Sequence, residues 1–411
     1  MCEEDGMEEF DKSSLYYVDS TPEGTRYSLY DTASWKNGLA FKNIDFSESG
    51  LPVIKIAELN NGISSSTAYT DKTYSQDVFL TKGDYVFSWS GNPETSIDIY
   101  KYNLPDGWLN QHIFKVTPKT EIIDKGFFFY LMKFLKPYFK KIATNKQTTG
   151  LGHVTISDLQ RMSVALPPLP IQQKIAAILS SLDDKIELNN KINTNLEQQI
   201  EALLLNYLSK RETTSVKLGD YLYIKGRIGW KGLKKNEYLS ESNYRIINGE
   251  TLTKSGIDWN KAGYISEERY TESPEIMLQV GDILLSKDGT IGKIGYVDEL
   301  ELPTSVASGI FVIRNNNPSV ISTTFIYYLL KSKLFDSFII ARTEGSVIPH
   351  LYQKDFMDFE FPLPSPELMN KFEKTTQPMF NQIINNLKEN KKLNSLRDSL
   401  LPKLMNGEIE V

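Results

Sequence analysis

The 411-residue chain has one cysteine, three histidines and no long apolar run, and each shortage removes a class of protein. A single thiol, Cys2, excludes an internal disulfide and a cysteine-based zinc site. His112, His153 and His350 are too scattered to form a local metal motif. No apolar stretch approaches the roughly 20 residues that span a bilayer. The opening residues, with Glu3, Glu4, Asp5, Glu8 and Glu9, are the reverse of a basic signal-peptide start, so the expected location is the cytoplasm, with no membrane partner. A phosphate loop is also missing: "GTIGKIG", Gly289 to Gly295, lacks the four-residue spacing and the Ser/Thr after lysine, and reads as a glycine-rich hairpin. No nucleophile with a base, paired acids or metal set stands out, which makes a lone enzyme the weakest reading.

What is present is enough for real cores: 40% of residues are hydrophobic and 11% aromatic, and the length predicts two or three domains. The net charge of -6 by itself argues against a nucleic-acid binder. Its distribution alters that conclusion. Six of the 52 acids lie in residues 1–11, which contain no base, so the rest of the chain carries 46 acids against 46 bases and has room for separate basic and acidic faces.

The chain repeats itself. At an offset of 197, His153 falls on His350, Asp158 on Asp355, Leu166-Pro167 on Leu363-Pro364 and Lys174 on Lys371. Upstream the offset is 198, where "LTKGDYVFS" (Leu80 to Ser88) meets "LQVGDILLS" (Leu278 to Ser286), and "FFFYLMK" (Phe127 to Lys133) meets "FIYYLLK" (Phe325 to Lys331). Each copy opens with short alternating strands and Gly/Asn/Asp turns, interrupted by an amphipathic helix. In the first, Asp124 is placed to cap that helix and Pro137 to bend or end it. Each copy closes with a proline strap, "LPPLP" (Leu166 to Pro170) or "FPLPSP" (Phe361 to Pro366), taken as a boundary because proline disfavours helix before itself, and then a long helix. The expected domains are 1–165 with an acidic tail at 1–11, 166–210, 211–360 and 361–411. The fold class is α+β: two mixed α/β heads separated by two long helices that form an antiparallel coiled coil, a pseudo-twofold internal repeat.

The helices carry the sharpest physical pattern. Ile175, Leu179, Leu182, Ile186, Asn189, Asn193, Leu196, Ile200, Leu203 and Tyr207 advance by steps of four and three, a coiled-coil seam with two polar positions. In the second helix the seam is Phe372, Thr376, Met379, Ile383, Asn386, Asn390, Leu393, Arg397, Leu400 and Leu404, with asparagines in the same places. Both asparagine pairs flank the midpoint of their helix. An antiparallel pairing brings them into one polar layer, and a slipped register leaves amides unpaired at roughly 1 to 3 kcal/mol each. A seam of this length spans roughly 50 Å at about 1.5 Å per residue. Since B-DNA repeats about every 34 Å, the pair could hold two reading heads on separate groove segments.

Two variable heads, each followed by a strap and helix like "LPPLPIQQKIAAILSSLDDKIELNNKIN", resemble the specificity subunit of type I restriction-modification enzymes. "TPEGTRYSLYD" (Thr21 to Asp31) and "SVKLGDYLYI" (Ser215 to Ile224) are similar to the openings of that family's target-recognition domains. The likeness covers nearly the whole chain, and "FPLPSPELMNKF" departs from the usual glutamine-rich form after the strap. It implies a subunit without chemistry of its own that reads a bipartite target in double-stranded DNA. Its helices dock two methyltransferase subunits using S-adenosylmethionine; restriction/translocase subunits bring ATP and Mg. No cofactor is expected in this chain. The Asn/Asp-Pro-Pro-aromatic loop of an amino-methyltransferase is absent, and "NPSV" (Asn317 to Val320) is only a turn.

Basic and polar loops are the candidate DNA contacts. "KGRIGWKGLKK" (Lys225 to Lys235) groups Arg227, Lys231, Lys234 and Lys235 around Trp230 without an acid. "KFLKPYFKKIATNKQTTG" supplies Lys133, Lys136, Lys140, Lys141 and Lys146, then Gln147, Thr148 and Thr149; its counterpart contains Arg342 and Ser346. Ser88, Ser90 and Asn92 lie in one hairpin segment, and Lys287 and Thr290 in its repeat equivalent. The histidine pair His153 and His350 is expected to share a structural hydrogen bond. The competing reading in another class is a protein-assembly scaffold with two binding heads on a coiled-coil spacer.

Overall fold

A computed structural model of the chain describes residues 24–147, 150–210, 212–228, 232–253, 256–343 and 350–411. The acidic tail, Thr148, Thr149, Trp230, Lys231 and Ser346 lie outside the described residues. The chain divides into two compact units, one running to Glu187 and including Asn390–Val411, the other Leu188–Glu389. Each therefore contains one head and part of both long helices. The division falls within the helices and not at the straps because each helix segment buries its apolar side chains in the adjoining core: Ile175 and Leu179 in the first unit, Ile200 and Leu204 in the second.

In the first unit Ala33–Asn37, Ile113–Pro118, Tyr85–Ser88 and Asp98–Lys101 form an antiparallel sheet in that order. All four residues of Tyr85–Ser88 are buried because the strand is covered on both faces. Phe87 and Phe114 meet the helices Lys125–Phe134 and Lys136–Asn145, whereas Val86 and Ile113 meet a second sheet containing Ile54 and Trp108. Asp124 caps the first helix, its Oδ1 accepting from the Phe127 N–H at 2.9 Å. Pro137 stands in the first turn of the next helix, where a missing N–H costs nothing, so the break falls just before it.

The second unit repeats the plan. Leu222–Gly226, Ile310–Asn315, Ile283–Ser286 and Ile294–Tyr296 pair antiparallel in the same order, and the helices Thr323–Leu330 and Lys333–Thr343 follow. The shared Gly-Asp dipeptide has a physical cause. Gly83 and Gly281 take φ of 96° and 97°, a left-handed conformation that favours glycine. The aspartate that follows closes the turn: Asp84 Oδ2 accepts from the Thr81 N–H at 2.8 Å, and Asp282 Oδ2 from the Gln279 N–H at 2.7 Å.

The straps differ from the expected boundaries. Ser163–Leu166 pairs with Thr25–Ser28, and Glu360–Pro364 with Thr213–Lys217, so each strap begins as a strand. These ladders have only two strands, and their outer edges need no N–H, which is why Pro362 and Pro364 are tolerated. The helices Leu169–Leu208 and Pro366–Met405 follow almost at once, with prolines in or beside the first turn. Gln172, 1% exposed, fastens the first corner by accepting from the Asp124 N–H at 2.8 Å and donating to the Pro167 carbonyl at 2.8 Å. Its counterpart Met369 is buried in the second core, so the departure from the glutamine-rich strap exchanges hydrogen bonds for apolar packing.

The seam faces inward throughout, each predicted position being buried or half-buried. In the second unit Asn386 donates to Asn193 at 2.7 Å, Asn189 donates to Glu389 at 2.8 Å, and Tyr207 meets Phe372 edge-on at 5.5 Å. Partner numbers rise along one helix as they fall along the other, which defines an antiparallel pair. In the first unit Arg397 donates to Asp183 at 2.6 Å, and the Tyr130 hydroxyl donates to the same carboxylate at 2.7 Å, tying the head to the helices. Asn189, Asn193, Asn386 and Asn390 are all buried.

Candidate nucleic-acid interface

The lysine-rich helix of the first unit is less available than its sequence implies. Lys133 and Lys136 both grip Asp98, at 2.8 and 2.5 Å, and burial pushes the Lys133 ammonium below its usual pKa despite that partner. Lys140 pairs with Glu94 in the neighbouring hairpin. Lys146 reaches the 1%-exposed Asp158 at 2.5 Å. Burial works to raise the Asp158 pKa, but bonds from Lys146 and Thr155 outweigh it and leave it low. Lys141 and Gln147 remain exposed, and Lys141 has no acidic partner among the described residues.

Two predicted hairpin contacts are corrected. Ser88 is fully buried as the end of an inner strand of the sheet, and Ser90 is 5% exposed in a short separate ladder with Gly152–His153; only Asn92 reaches solvent, where its Oδ1 accepts from the Glu94 N–H. In the second unit Ser286 is buried likewise, accepting from the Lys293 N–H and donating to the Thr290 carbonyl, so "GTIGKIG" is a pinned hairpin with Thr290 exposed.

Arg227 is also corrected. It is 1% exposed, donating through Nε to the Val306 carbonyl at 3.0 Å and through Nη2 to Ser305 at 3.3 Å, and burial followed by the nearby Arg269 lowers its pKa. It is turned into the head and away from solvent, whereas Lys225, Lys234 and Lys235 are exposed. We expect Arg227→Gln to lower the thermal midpoint of the chain while leaving the salt dependence of DNA binding unchanged. Arg342 is exposed, held by Asp355 at 3.2 Å and by the Phe338 ring.

Beside these loops lies a backbone frame present in both heads. The Trp89 N–H donates to the His112 carbonyl at 3.1 Å, and the Trp89 carbonyl accepts from Val154 at 2.8 Å. At equivalent places the Lys287 N–H donates to the Gly309 carbonyl, and the Lys287 carbonyl accepts from Leu351, both at 2.9 Å. Ser90 pairs through its backbone with His153, as Asp288 does with His350. Trp89 lies on Phe114, ring centroids 5.6 Å apart, and the Lys287 ammonium lies over Phe311 at 5.0 Å. The expected shared histidine hydrogen bond is therefore a shared backbone bridge. The side chains differ: His350 Nδ1 bonds Asp288, while His153 Nδ1 is buried without a partner among the described residues, since serine replaces the carboxylate. Trp89 and His112 were not among the expected site residues, although the coincidence of His153 with His350 was a pointer to their neighbourhood.

A duplicated mixed-sheet head, repeated with a new set of surface side chains and followed each time by a long helix, defines a two-headed binding protein. The family model described as the type I restriction modification DNA specificity domain matches residues 25–198 and again 210–396, and the chain belongs to that family, carrying its domain twice. It is similar to the type I restriction enzyme MjaVIII specificity subunit of Methanocaldococcus jannaschii, 24% identical over 390 residues that cover 89% of this chain and 87% of that one. The EcoBI specificity subunit of Escherichia coli is also 24% identical, with 93% and 86% covered. The fold resembles the crystal structure of the type I restriction-modification system S subunit from M. genitalium, with a TM-score of 0.56, 21% identity, and 93% and 96% of the two chains covered.

Proposed function

We propose that this chain is the sequence-reading subunit of a type I restriction-modification complex, each head reading one half of a bipartite DNA target with the paired helices as spacer. The observation that carries the reading is the duplication itself: the two heads keep one strand order and one backbone frame while the side chains mounted on them differ. Two copies that bound the same ligand would have no reason to diverge there.

The chain supplies position and not chemistry; S-adenosylmethionine, ATP and Mg belong to methyltransferase and restriction/translocase subunits, and the complex works in the cytoplasm. Apolar side chains left exposed on the central helix, Ile171 and Ile178 in the first unit and Leu188, Ile192 and Leu205 in the second, support docking of protein partners there. The four buried asparagines hold the register of the helix pair, and Lys141, Gln147, Asn92, Lys234, Lys235, Thr290 and Arg342 are the exposed DNA contacts.

Purification of the tagged chain from its host tests the reading: methyltransferase subunits should accompany it, and the complex should enrich one bipartite sequence from randomised duplexes. Partner proteins without any sequence selection would favour the scaffold. Changing Lys231, Lys234 and Lys235 to Glu should weaken binding to every duplex and reduce the salt slope by roughly 0.9 for each phosphate no longer neutralised. Unaltered affinity across a salt titration removes that loop from the interface.

A further inference from the structure

We propose that the duplicated backbone frame is the base-reading station of each head, with Trp89 reading the thymine methyl of an A·T pair in one half-site and Lys287 the acceptor edge of guanine in the other. This rests on the DNA-recognition function proposed above and says where in each head the choice of base is made.

Three observations converge on the frame. The backbone hydrogen bonds around position 89 recur around 287 within a few tenths of an ångström, yet Trp89 becomes Lys287, Ser90 becomes Asp288, His112 becomes Gly309 and Thr155 becomes Tyr352. A fixed mount with exchanged fittings is what two heads with different targets require. His112 is the non-glycine residue with positive φ, 75°, among the described residues, an unfavourable conformation held where its ring meets Trp89 at 5.3 Å. The frame also borders the candidate contacts. Gly152, next to His153, lies so close to Ala143 that a Cβ would sit 2.3 Å from its carbonyl oxygen, which brings alongside the end of the helix bearing Lys141, with Gln147 just beyond it.

The chemistry of each station follows from its neighbours. The Trp89 indole N–H is already spent on Asn37 Oδ1 at 2.9 Å, so the ring offers only carbon. It lines a pocket of about 370 Å³ with Phe114 and the exposed Ile156, bordered by Asn37, Thr155 and Ser157, and the mainly carbon surface it presents suits a methyl group. In the second head Asp288 is turned to His350, and the Lys287 ammonium has no ion-pair or hydrogen-bond partner among the described residues. Its ammonium, held over the Phe311 ring, is a free donor of the kind that pairs with guanine O6 and N7.

The test uses the full-length chain, purified with the subunits that accompany it, to select from a randomised duplex library. Lys287→Met is expected to lose preference for G·C at one position of one half-site by roughly 5- to 150-fold, the range of a good base contact, while Lys287→Arg keeps it. Trp89→Ala is expected to relax an A·T preference at one position of the other half-site, and Trp89→Phe to retain it. Unchanged sequence preferences, loss at the same half-site for both positions, or a uniform weakening on all DNA would overturn the assignment while leaving the recognition function intact. A wild-type chain that selects no sequence would overturn the recognition function itself.

Discussion

Asn386→Ala is expected to cost about 2 to 3 kcal/mol in urea unfolding, and Asn193→Ala only about 1 kcal/mol. The two amides share one hydrogen bond, but they are not equivalent. Asn386 also accepts from Gln382 at 2.7 Å, whereas Asn193 Nδ2 is already buried without a partner among the described residues. Removing Asn386 orphans Asn193 Oδ1 as well, so that neither polar atom of that amide is paired; removing Asn193 leaves Asn386 one of its two bonds and deletes an unpaired donor. Equal costs, or the reverse order, would contradict a register layer built this way. Replacing both by leucine should be neutral or stabilising, since a paired apolar replacement removes the desolvation penalty along with the bond. Its cost should appear elsewhere, as a broader range of spacer lengths accepted between DNA half-sites, because leucines do not penalise a slipped register.

Asp282→Ala carries the other large effect, about 3 kcal/mol, measured as a lower urea midpoint of the second unit. The carboxylate is 1% exposed and takes both arms of Arg314, Nε and Nη2, at 2.7 Å each. Without it the guanidinium stays against the Tyr223 ring with only the Met277 carbonyl, and the Gln279 N–H loses its acceptor. The repeat supplies an internal control. Asp84 occupies the same turn but is 24% exposed, and its partner Lys115 keeps the Phe79 carbonyl at 2.6 Å, so Asp84→Ala should cost within about 1 kcal/mol. Equal losses at the two sites would show that turn closure, and not the ion pair, carries the energy.

The contrast between these aspartates shows how far the sequence could be read. The repeat identified the Gly-Asp turn in both heads, because the left-handed glycine and the side-chain acceptor are local requirements that must recur wherever the turn does. It could not show that one copy is buried against arginine and the other half-open against lysine. Burial is set by residues some 30 positions away. The same limit explains Arg227 and Ser88, chosen as DNA contacts from a basic loop and a hairpin: nothing local marks a guanidinium as caught by the Val306 carbonyl, or a serine as the inner end of a strand. Lys133, Lys136, Lys140 and Lys146 belong to this group as well, since the acids that claim them come from other elements.

By itself the sequence determined the duplication, the α+β class, the helical seam and its polar positions, and the caps and turns. All of these are periodic or short-range, fixed by 3.6- and 2-residue repeats and by which side chains a given φ tolerates. The tertiary structure decided which charges are free and which are spent, because pairing depends on distances between elements that no local pattern encodes. It also decided that Trp89 and Lys287 occupy one frame. The offset of 198 already sets the two positions side by side, but that both are held by the same backbone hydrogen bonds depends on strands brought together only in the folded chain.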